Sequence, residues 1–98
     1  MELQSNLYII LFLVVHNIFE YLLELAERME IRIVKAKGDF NGGGCRVGDD
    51  KVIVINKIKP IEYQSKTIAE GLANYGLANH YLIPAVRSFI EDKLNIEI

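Results

Sequence analysis

The stretch from Lys51 to Tyr75 constrains the fold most. Four β-branched residues, Val52-Ile53-Val54-Ile55, lead through Asn56 and Pro60 into the helical pattern Lys66-Thr67-Ile68-Ala69-Glu70-Gly71-Leu72-Ala73-Asn74-Tyr75. β-Branched side chains lose rotamer freedom in a helix and pack well on a pleated surface, so the first part reads as a strand. Proline has no amide hydrogen to give to a ladder, and ends it. The spacing then predicts a helix opening near Ile61 or Glu62 and closing at Gly76, which suits a left-handed cap. Gly71 inside that helix costs about 1 kcal/mol relative to alanine unless a neighbour packs closely on it.

Upstream, Ile18, Leu22, Leu25, Ala26 and Met29 recur at three- and four-residue steps, while Glu20, Glu24, Glu27 and Arg28 occupy the other side. This is an amphipathic helix, with Arg28 near the end where the helix dipole favours a cation. With Ser5 as its cap it runs from about Asn6 to Met29. Glu30 to Lys37 changes to the two-residue period of a strand. Gly38 to Gly44 reads as a turn, Cys45-Arg46-Val47 as a short strand, Gly48-Asp49-Asp50 as a tight hairpin and Lys51 to Asn56 as the next strand. Leu77 to Ile83 is a connector, and Pro84 opens a last helix with Val86, Phe89, Ile90 and Leu94 on one face. The expected architecture is one α+β domain over residues 1–98. A long N-terminal helix packs across one face of a three-stranded antiparallel meander, and two C-terminal helices follow.

The 98 residues, 51% hydrophobic, fit a single core, one that buries roughly 60–70% of the surface of the extended chain. Eleven basic residues against 13 acidic ones give a net charge of -2. Phosphate binding needs clustered Lys and Arg, so nucleic acid is not an expected partner. The nearest cluster is Lys51, Lys57, Lys59 and Lys66, which reads as lysines that keep an edge strand soluble. The single cysteine, Cys45, excludes an internal disulfide and a cysteine-based zinc cluster. A reducing, cytoplasmic setting is the expectation.

The N-terminus departs from this neutral pattern. Leu7 to Val15 is nine apolar residues without a break. A spanning helix needs about 20 such residues, and His16, Asn17 and Glu20 interrupt first. A signal peptide needs a positive start, whereas this chain has Glu2 and no Lys or Arg before Arg28. A contiguous apolar surface too large for one small core ends in an interface. The expected interface residues are Leu7, Ile10, Leu11 and Val14, facing a protein partner or a second copy. Membrane anchoring through Met1 to Leu23 is an alternative. Translation from upstream of the true start is another account of residues 1–16.

The candidate chemical motifs read as structure. Gly42 to Gly44 lacks the Lys and Ser/Thr that follow a phosphate loop, and Val47 stands where a dinucleotide-binding turn has its last glycine. Asp39, Asn41, Gly43, Gly44 and Asp50 match calcium-loop spacing, but strand patterns flank them where helices belong. Cys45 and His80 have no third orienting group to make a nucleophile and base, and Cys45 reads as a small buried hydrophobe. His16 reads as a helix-face residue, Glu91-Asp92-Lys93 as a solvated face, and Tyr63, Tyr75 and Tyr81 as core-rim aromatics. No cofactor is expected.

At Ile53-Val54-Ile55-Asn56, followed by Gln64 and Thr67-Ile68-Ala69, the chain resembles the core of the ImmA/IrrE family of zincin-like metallopeptidases. The resemblance covers about Asn17 to Tyr75 in element order and implies a helix, a small sheet and a helix bearing His-Glu-x-x-His. Here Glu70 takes the place of the first histidine, Gly71 that of the catalytic glutamate and Asn74 that of the second histidine. Zinc sites use N or S ligands and a base to accept the water's proton, so these substitutions imply a catalytically silent relative. A retained metal would call on Glu70, Asn74, His80 or Glu91. Phe40 to Val47 and Ile83-Pro84-Ala85-Val86-Arg87 also resemble segments of short, uncharacterised bacterial proteins. The expected role is therefore non-catalytic: a small cytoplasmic protein acting by association, with itself or with another protein.

Overall fold

The β-branched segment forms the middle strand of the sheet, and the remaining elements are arranged around it. The computed structural model describes residues 2–98, with side chains for all of these except 2–6, Phe12 and Ala78. Among the described residues the elements are α1 (Glu2–Arg28), β1 (Ile31–Ala36), β2 (Gly42–Val47), β3 (Asp50–Asn56), α2 (Ile61–Asn74), a 3-10 turn (Leu77–Asn79) and α3 (Pro84–Leu94). The α+β class is as the periodicities require. Helix α1 is already formed at Glu2, ahead of Ser5, whose side chain lies outside the described residues.

The strands do not form the antiparallel meander that chain order predicts. Their spatial order is β1-β3-β2. β1 lies parallel to β3, from Ile31 beside Lys51 to Ala36 beside Asn56, and β2 lies antiparallel to β3, from Gly42 beside Ile55 to Val47 beside Asp50. A central strand is buried on both faces and so tolerates a continuous apolar run. β3 meets that condition, with Val52, Ile53 and Ile55 all buried. β1 carries exposed Arg32 and Lys35, and β2 carries glycines and exposed Arg46, so both suit edges. The lysines read as guarding an edge strand therefore flank the centre, where Lys51 lies over the Tyr75 ring and Lys59 over that of Tyr63.

This order makes residues 37–41 cross the end of β3. Five residues reach up to ~17 Å, enough to pass two inter-strand steps of ~4.8 Å. Buried Asn56, at the end of β3, holds the crossing: its Nδ2 donates to the carbonyls of Gly38 at 2.8 Å and Phe40 at 2.6 Å. Its Oδ1 accepts from the Ile58 amide at 3.3 Å. One side chain thus ties the crossover to the turn that leads into α2.

Two glycines set how closely α2 approaches the sheet. Gly42 has φ 98°, and a Cβ there would stand 2.6 Å from the Val54 carbonyl oxygen and 3.3 Å from Thr67 Cγ2. β2 begins at Gly42, paired with Ile55, and not at Cys45, because Gly42 serves close packing as well as the turn. A Cβ on Gly71 would stand 2.4 Å from Ile53 Cδ1 and 2.6 Å from its Cγ1. Overpacking of a buried site costs about 1–3 kcal/mol, against about 1 kcal/mol gained in helix propensity. Gly71→Ala is expected to lower stability by about 1 kcal/mol in urea unfolding, although alanine is the better helix former.

The core joins Ile18, Leu22, Leu25 and Ala26 of α1 to Ile31, Ile53 and Ile55 of the sheet, Ile68 and Leu72 of α2, and Val86 and Ile90 of α3. Gly76 takes φ 91° after α2, as expected of its cap position, and Pro84 opens α3. Buried Gln64 donates to the Lys59 carbonyl at 2.8 Å, closing the turn between β3 and α2. Lys93 of α3 pairs with Glu62 of α2. The hydrogen bond and charge of that carboxylate raise the ammonium's pKa above its ordinary value, but both side chains are solvated and the pair contributes little to stability.

Candidate association surface

Helix α1 has two halves of different character. From Ile18 to Ala26 one face is buried in the core. Before that, Leu7, Tyr8, Ile9, Ile10, Leu11, Leu13 and Val14 are 44–65% exposed. The domain's long dimension, 53 Å against 32 and 22 Å, reflects this projection. All four residues expected at an interface, Leu7, Ile10, Leu11 and Val14, lie on this part of the helix. Leu7–Arg28, 22 residues that include an 18-residue stretch of mean hydropathy 1.8, is long and apolar enough to cross a membrane by length and composition.

A stripe at alternating steps of three and four runs along α1 through Leu7, Ile10, Val14, Asn17, Tyr21 and Glu24. Its upper part stands exposed. Its lower part, from Val14 to Glu24, forms one wall of an open groove of about 440 Å³ whose other wall is Ile83, Ala85 and Val86. Glu20 and Glu24 stand exposed at this groove. Tyr21 leans on the second wall through its hydroxyl, which donates to the Tyr81 carbonyl at 3.5 Å, and Arg28 lies 5.7 Å above its ring. A smaller hollow of about 280 Å³, lined by Leu11, Val15, Pro60 and Ile61, lies where α1 meets the start of α2.

The positions of the degenerate peptidase motif lie elsewhere. Glu70, Gly71 and Asn74 line a polar groove of about 290 Å³ between α2 and Gly42 to Gly44 of the edge strand β2. One carboxylate and one amide do not fit zinc, which takes imidazole or thiolate ligands, and Gly71 accepts no proton. Glu70, His80 and Glu91 are not gathered into a metal-ligating group; among the described residues no three His, Cys, Asp or Glu side chains are. Glu91 instead accepts from the Ile98 amide at 3.1 Å.

Cys45 is exposed on β2, contrary to its reading as a buried hydrophobe: Gly42 and Gly44 face α2, and strand alternation turns Cys45 to the opposite, uncovered face. His80 is exposed after the 3-10 turn, and His16 is half-buried on α1. Sequence reasoning missed the groove's second wall. Tyr21 was findable as a continuation of the Leu7-Ile10-Val14 spacing, whereas Ile83 and Ala85 come beside it only through the placement of α3. Compared with family models, curated proteins and solved structures, the chain matches none.

Proposed function

We propose that this chain is a non-catalytic, self-associating domain whose projecting N-terminal helix is its assembly element. One observation carries the reading: seven consecutive-turn apolar side chains, Leu7 to Leu11 with Leu13 and Val14, stand exposed beside an apolar groove. At roughly 100 Å² each, the five on or beside the groove-side stripe (Leu7, Ile10, Leu11, Leu13 and Val14) offer on the order of 500 Å², to which the groove wall adds, against the ~800 Å² that each partner contributes to a standard interface. Covering that area with a second copy removes it from water at about 25 cal/mol per Å² before the costs of association.

The alternative of a membrane anchor has less support. The C-terminal half of the candidate span is committed to the domain core through Ile18, Phe19, Leu22, Leu25 and Ala26. The uninterrupted apolar run, residues 7–15, is about 13 Å long at 1.5 Å per residue, under half of a ~30 Å hydrocarbon core. Glu20 and Glu24 on the adjoining helix face also disfavour an anionic lipid surface.

The test is light scattering in the absence of detergent. Full-length protein is expected at a multiple of 11.2 kDa, and both Ile10→Lys and a chain lacking residues 1–16 at a single mass with a cooperative thermal transition retained. Ile10 is exposed and lies outside the core, so the midpoint falls mainly by the stabilisation that association supplied. A monodisperse full-length monomer overturns the reading. So does insolubility relieved only by lipid vesicles, which favours the anchor, or zinc that survives dialysis stoichiometrically, which favours the metal-retaining alternative.

A further inference from the structure

We infer that two copies pair their α1 helices antiparallel about a two-fold axis between Val14 and Asn17, so that Leu7 and Ile10 of each copy fill the groove of the other. This rests on the self-association reading and adds the partner surface and the orientation. The exposed stripe and the groove belong to one continuous line of side chains on α1, with Val14 shared by both. An antiparallel pair centred there sets Val14 against Asn17, Ile10 against Tyr21 and Leu7 against Glu24 of the other copy. Each exposed apolar half then lies along a groove whose far wall, Ile83, Ala85 and Val86, is apolar, and the same patch serves both copies, as a two-fold interface requires.

Orientation follows from what already occupies the lower half of α1. There α2 and α3 pack around Leu22 and Leu25, so a parallel pair would bring the two domains to the same end and oppose Glu20 and Glu24 with their own copies. The antiparallel pair puts the domains at opposite ends. It also brings the carboxylates beside a segment with no charged residue between Glu2 and Glu20. Leu11 and Leu13 flank the pairing stripe, and Tyr8 and Ile9 remain on the outer side. The groove, about 440 Å³, has room for the Leu7 and Ile10 side chains together.

Cross-linking tests this in full-length chains carrying Cys45→Ser, which removes the single native thiol. Leu7→Cys and Glu24→Cys chains, both altered at exposed positions, are mixed and treated with a short bis-maleimide. The expected product joins Leu7→Cys to Glu24→Cys, with few Leu7→Cys homodimers, since antiparallel Leu7 positions lie about 25 Å apart along the axis at 1.5 Å per residue. Ala85→Trp, which fills the groove, is expected to weaken the dimer at least tenfold in sedimentation equilibrium while leaving the fold intact by circular dichroism. A dimer that links Leu7→Cys to itself, or that ignores Ala85→Trp, overturns the antiparallel arrangement and leaves self-association standing. A full-length protein that stays monomeric overturns both.

Discussion

Asn56→Asp is expected to destabilise the protein by about 4 kcal/mol or more at neutral pH, and Asn56→Ala by about 2–3 kcal/mol. The two substitutions separate what the side chain occupies from what it donates. Asn56 is 1% exposed and gives both amide hydrogens to the carbonyls of Gly38 and Phe40. Alanine removes the donor and leaves a small cavity. Aspartate keeps the shape but points a buried carboxylate at two carbonyl oxygens, so desolvation and repulsion add to the lost hydrogen bonds. Stabilities of small domains are about 5–15 kcal/mol, so the aspartate variant approaches unfolding under native conditions. Urea midpoints at constant slope measure the difference. Equal losses for the two variants would mean that the crossover is held by something other than the amide.

Gly42→Ala is expected to cost about 3 kcal/mol, against about 1 kcal/mol for Gly43→Ala next to it. Both glycines have positive φ, 98° and 153°, so both substitutions strain the backbone. The space around them differs. A Cβ on Gly42 meets the Val54 carbonyl oxygen at 2.6 Å, whereas one on Gly43 meets nothing within 4 Å. The Val54 oxygen belongs to the central strand and cannot retreat without disturbing the sheet. Thr67, on the side of α2 that faces this strand, would be pushed as well. Thermal unfolding of the pair gives the ratio directly, and similar midpoints would refute the close approach of β2 and α2.

Both predictions bear on the part of the fold that the sequence left ambiguous. Periodicity alone identifies α1 from Ile18 to Met29, the strands around Ile31 and Ile53, α2 with its Gly76 cap, and α3 with Pro84 at its first turn. Those are local matters, decided by side-chain spacing and by residues with restricted φ. Strand order is a different question, because a five-residue link from β1 is compatible both with a hairpin and with a crossing. The signal that decides it was present in Val52 to Ile55, a run without polar alternation that suits only a strand covered on both faces. Chain order suggested adjacency, and burial prevailed.

The exposed apolar face of α1 divides in the same way. The uninterrupted apolar run from Leu7 to Val15 was determined by the sequence itself. That this run projects beyond the domain was decided by tertiary structure, because the sheet and α2 can cover only the half of α1 that begins at Ile18. The groove beside it exists because α3 folds back to bring Ile83 and Ala85 across from Tyr21, a contact spanning some sixty residues that no local pattern encodes. Local spacing sets which side chains share a face of an element, whereas the packing of elements against one another sets which of those faces is left exposed.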